Sequence, residues 1–242
     1  MNASGRPNTC KSRGSTLKSL LFMVATGGRV RNAYATCLTQ GDNPKKFDLT
    51  KLLPFYDKIE AACLAAFRAE AEPTPYGLLL ELMDLPGLPM HCPPHHYIMP
   101  ATLLTVAARK TGEPEDLFRE QLAECKDRAL NVLAGFCGWY GDCGAAVGIG
   151  IFMSVFTNAD PHVQDYWADC NRATGQALLQ IAEVDGPRCC KRNSFIALQS
   201  AIASIEKSLG IQLADPGKIV CKYHEENAEC KKNACPFYPE EA

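Results

Sequence analysis

A chain of 242 residues, 47% apolar and 21% charged, has the composition of a folded globular protein, long enough to bury a core without staples. Its net charge of −2 excludes a global field that would draw it to nucleic acid or anionic lipid. Thirteen cysteines, an odd number gathered into short motifs, fit a reducing cytoplasm with metal or thiol chemistry better than a secreted disulfide scaffold.

Residues 1–14 are polar and read as a disordered N-terminus. The apolar run 20–25 imitates an export signal. It is shorter than the roughly 7–15 residues of such a core, and Lys18 abuts it. A helix over 16–26 is the better reading, with Ser15 or Thr16 as cap and Gly27-Gly28 as its end. Residues 38–46 read as a loop. Leu52, Tyr56, Ile59, Cys63 and Phe67 recur at helical spacing, predicting a helix over 50–70 with Asp48 as cap and Pro54 near its first turn.

A break at 71–76 leads into a short helix at 77–84 and a proline-stiffened irregular stretch. Helices are expected over 95–110 and from Glu113 to Leu133, the second opening with Pro114 and acidic residues. A Gly/Cys loop, 135–144, precedes a buried helix at 144–157, which is far short of the ~20 residues that span a membrane. Helices at 162–184 and 192–209 follow. Period-two alternation is scarce. The fold class is therefore all-α: an irregular bundle over 15–210 with Gly/Cys-rich loops, and a small Cys module over 211–242.

Four constellations carry chemistry. Cys137 and Cys143 sit in a glycine-rich loop feeding an apolar helix, where amides and the helix N-terminus favour anions and lower a thiol's pKa. Gly148 and Gly150 also suit plain helix packing. Adjacent Cys189 and Cys190 are flanked by Arg188, Lys191 and Arg192, cations that favour thiolates or an anionic ligand. His91, His95 and His96 lie beside Cys92 among prolines, as metal ligands or acid–base groups. The tail offers Cys221, His224, Cys230 and Cys235, a Cys3His set for tetrahedral zinc. No P-loop, dinucleotide fingerprint, H-E-x-x-H or G-x-S-x-G occurs.

Together, His91 through His95-His96 and Pro100, Cys137-Gly through Cys143-Gly-Ala-Ala-Val-Gly, Arg188-Cys-Cys-Lys-Arg192 and the Cys tail resemble an uncharacterised prokaryotic domain family. Its members stand alone or are joined to methyltransferase-type domains, in anaerobes. The resemblance spans about residues 75–240 and implies a cytoplasmic, anaerobe-type setting without an established reaction. Cys92 stands where the family pattern implies a small residue, which weakens it as a ligand.

The leading expectation is an iron–sulfur protein, with a 4Fe-4S cluster held by Cys137, Cys143, Cys189 and Cys190. His91 would be a further ligand, with His95 and His96 as acid–base residues and Arg188, Lys191 and Arg192 binding an anionic or sulfur-containing small molecule. One rival is a cluster-free thiol enzyme or sulfur carrier using Cys143, Cys189 or Cys190. Another is a zinc-stabilised binding module. Expected partners are a small-molecule substrate or a redox or methyltransferase-type protein, with no nucleic acid and no membrane; a homodimer is compatible with exposed helix faces.

Overall fold

A computed structural model describes residues 49–240. The expected disordered terminus, the helix at 16–26, the loop at 38–46 and the Asp48 cap lie outside the described residues. Within them the chain forms eight α-helices, one 3-10 turn and no strand, and is all-α.

Helix α1 (Leu49–Arg68) buries Leu52, Tyr56, Ile59, Cys63 and Phe67, one stripe at helical spacing. Helix α2 (Pro75–Met83) starts where Thr74 Oγ1 accepts the amide of Gly77 at 3.1 Å and Pro75 supplies a pre-set φ. Helix α3 (Pro94–Thr111) opens on Pro94 and ends at Gly112, whose φ of +70° is left-handed. Helix α4 (Glu115–Leu130) carries Glu115 and Asp116 in its first turn and stacks Phe118 on Phe67, ring centroids 4.3 Å apart.

The loop that follows contains a single-turn helix, α5 (Phe136–Trp139), where the sequence suggested only loop. Helix α6 (Gly144–Thr157) has the boundaries expected. Helix α7 (Trp167–Glu183) starts later than expected, because Asp160 Oδ1 accepts the amides of His162 and Val163 and holds that stretch as a turn. Helix α8 (Cys190–Leu209) starts earlier, with Cys189 as its N-cap.

Helices α3 and α6 form the centre. Helix α6 packs on α3, α4, α7 and α8, and α3 also on α1, α2 and α4. Glycines set the close approaches. A Cβ on Gly148 would stand 2.8 Å from Pro100 Cδ, and one on Gly150 would overlap Thr174 Oγ1 on α7. The packing use of these glycines is therefore real.

The tail beyond α8 is irregular but docked. Phe237 packs edge-on to Phe195 of α8, the amide of Cys221 donates to Phe237 O at 2.7 Å, and Tyr223 Oη donates to Asp84 Oδ1 at 2.8 Å. No helix among the described residues is long and apolar enough to cross a membrane.

Candidate metal centre

The architecture brings three chain ends to one place: the turn before α3 and the N-terminal ends of α6 and α8. Cys143 is the extended N-cap of α6, and Cys189 is that of α8, with Cys190 as its first helical residue. Helix N-termini carry unpaired amides and the positive end of the dipole, so thiols there face positive potential.

Nitrogen donors are aimed at the sulfurs. Asn193 Nδ2 donates to Cys143 Sγ at 3.3 Å, and Asn227 Nδ2 to Cys189 Sγ at 3.5 Å. The amide of Arg192 also donates to Cys189 Sγ, at 3.4 Å. His91 bridges the sets: the Cys190 amide donates to its Nδ1 at 3.4 Å, and its Nε2 donates to Asn227 Oδ1 at 3.1 Å. With both ring nitrogens so engaged His91 is neutral. Burial lowers its pKa, while the bond to Asn227 acts in the opposite direction.

Every described cysteine is a free thiol. Burial pushes the Cys190 thiol upward, and Cys143, Cys92, Cys189 and Cys137 around it add to the shift. Burial also raises Cys189, although the amide and guanidinium of Arg192 oppose the shift. Burial raises Cys137 as well, with Cys143 second and Arg188 opposing. The flanking cations thus do not overcome desolvation at these sulfurs. As placed, no three Cys, His, Asp or Glu side chains among the described residues stand close enough to hold one metal ion.

A family model described as a family of unknown function, DUF5714, matches residues 59–238. The chain belongs to the DUF5714 family. No curated protein and no solved structure matches it. The DUF5714 region runs from within α1 to Tyr238, so all four constellations lie inside it.

Within this DUF5714 domain, the three cations of the double-cysteine motif part company. Lys191 is buried, donating to Met83 O at the end of α2 at 3.0 Å and lying 4.5 Å from the centre of the Tyr223 ring. Arg192 clasps its own loop, donating to Asp185 O and Pro187 O at 3.1 and 2.9 Å and to Asn193 Oδ1. Only Arg188 is exposed, 3.4 Å from Glu229. An anionic ligand would therefore meet Arg188 and not a cluster of three cations.

The histidines differ as well. His96 Nδ1 donates to Val132 O at 2.7 Å, which leaves Nε2 as the lone-pair nitrogen. Its ring lies flush on Gly144, where a Cβ would overlap it. His95 is 2% exposed; its Nδ1 faces Cys92 Sγ at 3.3 Å, and its Nε2 has no partner. Burial lowers both pKa values, so both rings are neutral bases at pH 7.

The tail thiols form a second group. Cys221, Cys230 and Cys235 line a cavity of about 20 Å³ together with Cys189 and His224. The His224 ring packs edge-on to Tyr238, centroids 5.1 Å apart. Sequence reasoning missed Asn193 and Asn227. Asn193 lies just past the Arg188–Arg192 motif and was within reach of it. Asn227 meets His91 across 136 positions, a pairing that no local pattern announces.

Proposed function

We propose that this protein carries an iron–sulfur centre at the meeting of α6 and α8, with Cys137, Cys143 and Cys190 as thiolate ligands. One observation carries the reading. Thiols from two separate motifs gather in one half-buried place, Cys190 with Cys143 and Cys137 near enough to oppose its ionisation. A soft cation relieves that crowding, and sulfur-only donors are the usual set for such clusters. The donor chemistry fits: Asn193 supplies an N–H to Cys143, as outer-shell partners do for metal-bound ligands. Cys189, the other thiol of the pair, lines the tail cavity.

Three thiolates leave a 4Fe-4S cluster one position short of its usual four. Such a cluster, when bound, supplies an open iron that acts as a Lewis acid or an electron carrier. Around it the chain's own residues have defined tasks. His96, neutral and with Nε2 free of its Val132 bond, accepts a proton from a substrate. Arg188 at the rim attracts an anionic group. His91 and Asn227 hold the Cys190 amide and the Cys189 sulfur in register.

The cluster-free thiol enzyme is the weaker reading. Using Cys143 or Cys189 as nucleophile and Cys190 as resolving thiol, it needs thiolates at neutral pH, and burial pushes Cys189 and Cys190 away from that state.

The test is iron and acid-labile sulfide content, with a visible spectrum, on protein purified without oxygen. Brown protein with matched iron and sulfide is expected. Cys190→Ser should bleach it, and Cys63→Ser, in the α1 core, should not. Colourless, iron-free protein from anaerobic cells would end the proposal.

A further inference from the structure

The adjacent cysteines do not face the same way. Cys189 is extended backbone and borders the tail cavity; Cys190 begins the helix and is absent from that cavity's lining. We propose that Cys189 belongs with Cys221, Cys230 and Cys235 in a tetrahedral four-thiolate zinc site, separate from the centre that Cys190 serves. His224 is then not a ligand.

Three observations point there. First, the four cysteines line one cavity of about 20 Å³. A space of about 10–15 Å³ holds one water, so this one has room for a single ion. Second, two of the four sulfurs receive N–H donors. The amide of Lys232 donates to Cys230 Sγ at 3.3 Å, and the amide of Arg192 and Asn227 Nδ2 donate to Cys189 Sγ at 3.4 and 3.5 Å. Amides turned onto sulfur stabilise the negative charge that a thiolate ligand bears. Third, His224 already packs on Tyr238 and adds no fourth donor that Cys189 does not supply.

The chemistry selects zinc. Four thiolates around one small cavity match a closed structural site, with no position left for water. The ion would draw the four sulfurs inward from their present spacing, fastening the tail to the start of α8. The double cysteine would thus join two centres, one thiol in each.

The experiment uses full-length protein, with Zn(II) and Co(II) as probes and zinc, iron and sulfide counted in parallel. One zinc per chain is expected, and the Co(II) form should show intense thiolate charge-transfer bands. Cys189→Ser should weaken zinc binding by more than the ~10–100-fold lost with an outer-shell partner, and leave iron in place. Cys190→Ser should do the reverse. His224→Ala should leave zinc affinity unchanged. If Cys189→Ser fails to fold, X-ray absorption on the wild-type zinc protein decides: four sulfurs at about 2.3 Å support the site, whereas three sulfurs and a nitrogen at about 2.0–2.1 Å overturn it. Zinc loss in His224→Ala with retention in Cys189→Ser overturns it too, as does wild-type protein that takes up no zinc. An iron-free protein that still binds zinc through four sulfurs would end the cluster proposal alone.

Discussion

Gly144 shows how one absent methyl group joins two motifs that are 48 positions apart. Its Cα face touches the His96 imidazole, and that ring is pinned by its bond to Val132 O at 2.7 Å. A Cβ there has nowhere to go: the ring is held and α6 is buried on every side. Gly144→Ala is therefore expected to destabilise by about 1–3 kcal/mol, the usual cost of overpacking. Gly175, in the middle of α7, meets nothing within 4 Å, so Gly175→Ala should stabilise by about 0.5–1 kcal/mol through helix propensity. Urea midpoints of the two variants should move in opposite directions. Equal shifts would mean that the His96 contact does not set the α3–α6 spacing. The sequence marked both residues as glycine. Only the partner, 48 positions away, says which of the two is obligatory.

At the scale of elements, most of the fold was legible. Apolar spacing, Pro at helix starts and Gly112 as a left-handed end give α1, α3, α4 and α6 their bounds. What was not legible is which way neighbours point where extended chain becomes helix. The sequence reading starts α8 at about 192 and sets Cys189 and Cys190 before it as one donor pair. It starts at 190, and the change of backbone between them sends the two thiols toward different groups. The charged clamp between α1 and α4 was also invisible locally. Glu115 accepts from Arg68 at 2.5 and 3.0 Å and from Arg119 at 2.9 Å. These bonds hold its pKa near about 2, below its ordinary 4.5. A folded pKa depressed in this way adds stability above the unfolded value and loses it as pH falls toward the folded one. Glu115→Gln should therefore lower the urea midpoint at pH 7, with the gap to wild type narrowing as pH drops from about 5 toward 2. Because the pair is exposed, the gap is small, and salt should shrink it. A gap independent of pH would assign the effect to packing.

At the scale of the whole molecule, the question is what keeps an irregular tail of this length on a helical body. Its direct attachments are side-chain contacts: Phe237 on Phe195, Tyr223 and Lys222 on Asp84 at the end of α2, Asn227 on His91 and Cys189, Lys231 on Val184 O and Glu229 on Arg188. The tail has no helix beyond the short turn Lys232–Ala234, so it has little backbone bonding of its own to resist opening. A zinc ion shared by Cys189 and the tail cysteines would add a further fastening, since structural zinc contributes folding energy directly. Chelation should then free the tail without melting the bundle. Trypsin should cut at Lys218, Lys222 and Lys231 in chelator-treated protein and not in zinc-loaded protein. The helical circular dichroism should stay level, because the tail contributes almost nothing to it. Asp84→Asn, which weakens another of these fastenings, should make the tail open at lower chelator concentration. If the tail stays protected after zinc is gone, aromatic packing and the Asp84 bonds suffice, and the metal has a role other than holding the fold. If the helical signal collapses together with the tail, the tail and the bundle are one cooperative unit.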